Sequence, residues 1–159
     1  MVEDIVRQIR ALLQNELPAK LDQIELERAD GVTLEDIQSF FIQPGHKDAS
    51  IKYPNITILG EATTATNALS HRRELRHRIS VWVTFREVSP DSGLAQIKLW
   101  RYMEAIERIL ASDPTLTGKA QNSVVIKHEY YPYHKEKDEF VSMAILDMEV
   151  LERPSISNY

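Results

Sequence analysis

The stretch RRELRHRISVWVTFREV, Arg72 to Val88, carries five of the chain's eleven arginines, all between Arg72 and Arg86. Arginine at this density can do two kinds of chemistry. It can neutralise phosphates, with an aromatic ring such as Trp82 stacking on bases. It can instead pair with carboxylates of a protein partner, with Trp82 as an apolar anchor. A third reading is a solvated strand face with no partner. The residue order shows how the arginines are presented. Leu75, His77, Ile79, Val81, Val83 and Phe85 alternate with Arg76, Arg78, Ser80, Trp82, Thr84 and Arg86. Period-two alternation of this length is a strand with one buried face, so Arg76, Arg78, Trp82 and Arg86 share the other.

Other reactive residue types form no constellation. The five histidines include no helical H-E-x-x-H, and no cysteine is present, which removes disulfides, thiolate nucleophiles and cysteine-ligated metals. His128 and Glu129 are neighbours on an expected strand and point to opposite faces, so they cannot share a metal; His134 lies six residues on. Five scattered glycines make no phosphate loop, and no G-x-S-x-G elbow occurs. The carboxylate pairs Glu35/Asp36 and Asp138/Glu139 fall in expected turns. The expectation is a protein without catalysis, cofactor or metal. Tyr131 and Tyr133, beside Pro132, read either as interface residues or as an aromatic lid on the core.

The elements that must position these residues are legible in outline. Val2, Ile5, Val6, Ile9, Leu12 and Leu13 give an amphipathic helix with Glu3 and Asp4 in its first turn. Pro18 is expected to interrupt or restart it, and a weaker stripe of Leu17, Leu21 and Ile24 runs to a turn at Ala29–Gly31. Thr33 and Asp36 could cap a short helical turn, or Phe40–Ile42 could be a strand. Gln43–Ser50 reads as a loop and Tyr53–Glu61 as a strand, with Pro54 at its start or on an edge. Ala62–Ser70, small and polar, reads as a mobile connection or a hairpin loop. Ser89-Pro90-Asp91 opens a helix to Ser112, with Leu94, Ile97, Met103, Ile106 and Leu110 on one stripe, widened by Leu99, Trp100, Tyr102 and Ile109. Two strands follow, SVVIKHEYYPY and EFVSMAILDMEVLE, around the polar HKEKDE. The expected fold is α+β: one domain over 1–153 with a polar tail 154–159, an antiparallel or mixed sheet of about four strands, and a long helix packed on it.

The 159 residues suit one domain with a real core. The net charge of −5 argues against a dedicated nucleic-acid binder, without excluding a local basic patch. The N-terminus has acids before any base and does not read as a secretory signal, so the expected setting is a cytoplasm, with no membrane span.

The order of elements, with Tyr53-Pro54 before a strand and LASDPTLTG (Leu110–Gly118) between the helix and VVIKHEYYPY, resembles the tail terminator (tail completion) proteins of long-tailed bacteriophages and prophages. The likeness covers the first helix and most of the chain from about residue 50; Ala19–Gln43 has no counterpart. It implies a non-enzymatic virion protein, assembled in the host cytoplasm as a ring, usually a hexamer, on the head-proximal end of the tail. Its implied partners are itself, the tail tube protein and the head connector protein, with DNA only as passing cargo. In that setting Arg76, Arg78, Trp82, Arg86, Tyr131 and Tyr133 are candidate interface residues. Two polar segments, through His46, Lys47 and Asp48 and through His71, Arg72 and Arg73, are candidate docking loops. Alternatives are a head-completion or connector-adaptor neck protein, or a nucleic-acid-binding module using the Arg72–Arg86 strand.

Overall fold

The computed structural model describes residues 2–42, 52–69, 72–87, 92–136 and 139–152. Its elements are α1 (Val2–Arg28), β1 (Ser39–Phe41), β2 (Asn55–Leu69), β3 (Arg72–Glu87), α2 (Ser92–Ser112), β4 (Asn122–Glu136) and β5 (Glu139–Glu152). The strands form one sheet in the order β1-β2-β3-β5-β4. All pairings are antiparallel except β1 with β2, so the sheet is mixed and has five strands rather than four. Because β3 and β4 both run antiparallel to β5, they are parallel to each other, and α2 is the crossover that joins them. The fold is α+β in a single domain.

Both helices cover one face of the sheet. The core lies between, built from Ile56 and Ile58 of β2, Ile79, Val81 and Val83 of β3, and Ala144, Leu146, Met148 and Val150 of β5. The alternation read from β3 is the one observed: Leu75, His77, Ile79, Val81, Val83 and Phe85 are all buried. α2 presents Ala95, Leu99, Tyr102, Met103, Ile106, Ile109 and Leu110 to the core. Trp100 is not among them. It is 47% exposed, and Leu94 and Ile97 are half-buried, so the buried stripe is rotated from the one expected.

α1 runs through Pro18 without a break. A proline inside a helix costs about 3 kcal/mol. Beyond it, however, Leu21 and Ile24, with Leu17 just before, fall on the same buried stripe as Ile5, Ile9 and Leu13. Burying each such side chain is worth roughly 1.5–3 kcal/mol, so the stripe outweighs the proline. The end of α1 is tied to α2 by ion pairs. Arg108 grips Glu27 with bonds of 3.1 and 2.9 Å, Arg28 reaches Glu104 at 2.9 Å, and the buried Arg101 takes both oxygens of Asp30. No helical turn forms at Thr33–Asp36. The segment is extended, because Leu34 is buried with its N–H held by the Glu25 carboxylate, and Tyr102 Oη donates to the Glu35 carbonyl at 2.7 Å. The alternative strand is the one that exists, as β1.

Ala62–Leu69 is not a loop. β2 stays paired with β3 as far as Leu69↔Arg72. Thr63, Thr64 and Thr66 are β-branched and suit a strand once a partner is beside them. Gln43–Ser50, Ser89-Pro90-Asp91 and the 154–159 tail lie outside the described residues.

Two bulges set which side chains face which way. In β2 the register shifts between Gly60 and Ala62, so Gly60 opposes Ile79 but Thr63, not Ala62, opposes His77. In β4 it shifts between Val125 and Lys127, which turns Lys127 away from the helices and His128 toward them. Gly60 itself lies under the first turn of α1, where a Cβ would stand 2.8 Å from Val2 Cγ2. Gly60→Ala is expected to cost about 1–2 kcal/mol and lower Tm by several degrees. Adding Val2→Ala should recover most of the loss in calorimetry.

The Arg101 hydrogen bonds hold the Asp30 carboxyl down to about 2, against the opposing effect of its partial desolvation. A depressed carboxylate stabilises fully above its ordinary value and loses that contribution as pH falls toward 2. Carbon-detected NMR titration should place the Asp30 midpoint near 2. In Arg101→Gln it should return toward the normal carboxylate range.

Candidate functional site

The sheet face away from the helices is open, and the register lays it out in rows. One row runs Asn55–Thr84–Met143–Tyr131 and the next Thr57–Trp82–Ile145–Glu129. Then come Leu59–Ser80–Asp147–Lys127, Ala62–Arg78–Glu149–Val124 and Thr64–Arg76–Leu151–Asn122. The face therefore has an apolar end around Trp82, Ile145, Met143 and Tyr131, and a charged end around Arg78, Arg76, Asp147 and Glu149. A solvated antiparallel face ordinarily alternates to polar residues. Here Trp82, Met143 and Ile145 are only half-buried, and Tyr131 and Val124 are exposed. Trp82, Ile145, Met143 and Tyr131 thus form one apolar patch, and Val124 lies apart from it beside Glu149.

Charge on this face is largely spent within it. Arg76 donates to Glu149 at 2.9 Å and to Glu74 at 3.2 Å. Lys127 pairs with Glu129 and stands 3.7 Å from Asp147. The hydrogen bond from Lys127, joined by that of Tyr131 Oη at 2.8 Å, keeps the Glu129 carboxyl below the usual range. Trp82 Nε1 donates to Ser80 Oγ at 2.9 Å, and Ser80 donates on to Glu61 at 2.9 Å, which fixes the indole. Arg86 lies at the other end of β3, its guanidinium 4.1 Å from the centre of the Tyr53 ring. Arg78 is exposed and has no ion pair among the described residues.

The structure thus brings Arg76, Arg78, Trp82 and Tyr131 onto one surface and puts Arg86 at its margin against Tyr53. Tyr133 belongs to β4, with its side chain outside the described residues, as are those of Arg72 and Arg73 at the start of β3. His46, Lys47, Asp48 and His71 lie outside the described residues altogether. Ile145 and Met143 were not singled out from the sequence, although the alternation of MAILDMEVLE against a buried even face carries that signal.

Two histidines deserve a place beside this surface. His77 is fully buried between β2 and β5. Its Nε2 is 2.7 Å from Glu152 Oε2 and its Nδ1 is 2.8 Å from Thr63 Oγ1. In the neutral ring Nε2–H donates to the carboxylate and Nδ1 accepts the threonine hydroxyl. Hydroxyl, imidazole and carboxylate in line can relay a proton. With the imidazole enclosed, the same contacts pin three strands together. The β2 bulge makes this possible, since an unbulged strand would set the Ala62 methyl against the ring. His128 faces α2 instead, with Nδ1 3.0 Å from Tyr130 Oη and Nε2 3.5 Å from Glu107 without a good hydrogen bond. Glu129 points to the opposite face. Among the described residues no three His, Asp or Glu side chains cluster to hold a metal, and no helix is long and apolar enough to cross a membrane.

Neither a scan against protein-family models nor a search of curated proteins finds a match to the chain.

His77→Leu leaves the Glu152 carboxylate and the Thr63 hydroxyl without the ring, and urea unfolding should show a loss of roughly 2–4 kcal/mol. Thr63→Val, which removes one neutral hydrogen bond, should cost only about 1 kcal/mol.

Proposed function

We propose that this protein is a non-enzymatic ring subunit that caps the head-proximal end of a phage tail tube, ends its polymerisation and forms the docking surface for the head connector. The observation that carries this reading is the open sheet face. Its own helices leave Trp82, Ile145, Met143 and Tyr131 uncovered, which suits a chain whose second core layer comes from other subunits. The resemblance in element order, helix, two long strands, long helix and two strands, supports the same assignment. A face whose charges are mostly paired internally supplies orientation and specificity more than raw attraction. That distribution also favours protein contact over nucleic-acid binding, because the charge of Arg76 and Lys127 is already matched by Glu74, Glu149, Glu129 and Asp147.

The test is to add the protein to polymerising tail tube subunits and follow tube length by light scattering and negative-stain images. Tubes should shorten in proportion to added protein and carry a ring at one end. Ile145→Asp, which leaves the helix-facing core untouched, should abolish capping with the circular dichroism spectrum unchanged. Tubes of unaltered length would overturn the reading. Binding to a head connector without binding to tube ends would assign the protein to the neck instead. Steeply salt-dependent DNA affinity of the isolated protein would point to the nucleic-acid module.

A further inference from the structure

The open sheet face has a complement on the same chain. At the C-terminal end of α1 a cleft of about 440 Å³ is lined by Asp22, Glu25, Leu26, Gly31, Val32 and Thr33. Leu26 is 82% exposed, the most exposed large apolar side chain among the described residues. The neighbouring acids differ in how far they are committed. Glu27 and Asp30 are bound by Arg108 and Arg101, and Glu25 accepts the Leu34 N–H. Asp22 has no ion pair among the described residues. The shoulder therefore offers one exposed apolar side chain beside uncompensated negative charge. The open sheet face offers the converse: an apolar surface around Trp82 and Ile145, and in Arg78 an exposed cation with no ion pair among the described residues.

We infer that a second copy of this chain seats its α1 shoulder on the open sheet face, with Leu26 against Trp82 and Ile145 and Asp22 toward Arg78. The two patches lie on different layers of the molecule, one on the helix side and one on the bare side of the sheet. A contact between unlike patches is heterologous. It leaves the joined pair with one free patch of each kind, so assembly continues until the rotation between copies closes a ring. A self-paired sheet face would instead stop at a dimer. The inference rests on the ring reading given above and adds to it the two surfaces that meet.

The chain contains no cysteine, which makes a site-directed test clean. Leu26→Cys and Ile145→Cys proteins are prepared separately and treated with a short bismaleimide, alone and as an equimolar mixture. Cross-linked dimer is expected in the mixture and not in either protein alone. Sedimentation velocity of cysteine-free protein should show Arg78→Glu assembling roughly tenfold more weakly, the loss expected when a complementary interface charge becomes repulsive. Asp22→Lys in the same chain should restore assembly, a rescue that damage to folding would not allow. Ile145→Cys cross-linking to itself would mean face-to-face pairing and would overturn the inference. Oligomers that form without the mixed cross-link and ignore Arg78→Glu would also overturn it, while leaving the ring reading intact. A protein that remains monomeric alone and on tubes would remove both. Seating of another protein's basic, apolar segment on the α1 shoulder would show as protection of the Leu26→Cys thiol by that protein alone, and would likewise overturn self-docking.

Discussion

Two helices cannot cover two faces of a five-stranded sheet. α1 and α2 lie side by side on one face, joined along their own seam by Arg108–Glu27 and Arg28–Glu104, and the buried apolar side chains Ile79, Val81 and Val83 of β3 and Leu146, Met148 and Val150 of β5 point to them. That one-sided cover is the constraint on which the rest depends. It leaves Trp82, Met143 and Ile145 half-buried on the face that the two helices do not cover, and it frees those positions from packing against them. At Trp82, Met143 and Ile145 the side chains are apolar, where a wet antiparallel face ordinarily carries polar ones.

The electrostatics of the open face follow from strand register more than from composition. Arg76 and Glu149 meet because β3 and β5 pair antiparallel, and Lys127 reaches Asp147 because β4 bulges one residue earlier. A sequence rich in arginine at this stretch thus yields a surface on which Arg76 and Lys127 stand beside carboxylates. Exposed pairs of this kind contribute little stability each. Their effect is to hold Arg76 and Lys127 within the face, while Arg78 is exposed with no ion pair among the described residues.

The sequence disclosed the parts of the fold governed by local periodicity. β3 is legible because six apolar-face residues alternate without error, and its register with β5 then puts Arg76, Arg78 and Trp82 on the same open surface. Features decided by distant partners were hidden. Ala62–Leu69 looks like a loop until β3 is set beside it, and Pro18 looks like a break until Leu17, Leu21 and Ile24 are seen to meet the core. Thr33 and Asp36 have the spacing of a cap, but burial of Leu34 and the Glu25 bond to its N–H draw the segment straight. Bulges at Glu61 and Ile126 leave no mark in the hydrophobic pattern strong enough to read. For that reason the Thr63–His77–Glu152 pin and the inward turn of His128 are not legible in the residue order alone. The open surface was legible as one strand's worth of residues; Ile145 and Met143, which complete it, depended on knowing that β5 lies next to β3.

The strand order has a consequence for biosynthesis. β5 is made after β4 yet sits inside it, between β4 and β3. Until Glu139–Glu152 has been synthesised, β3 and β4 have no common neighbour, and the side chains of Ile79, Val81 and Val83 lack half of their sheet. The nascent chain must hold these residues in an unfinished state until β5 has been added. Local pairing of β2 with β3 can form early, whereas closure of the sheet waits on contacts between residues some seventy positions apart, a slow kind of step. A chain stopped short of β5 would present two long unpaired edges, the condition under which strands seek one another and aggregate.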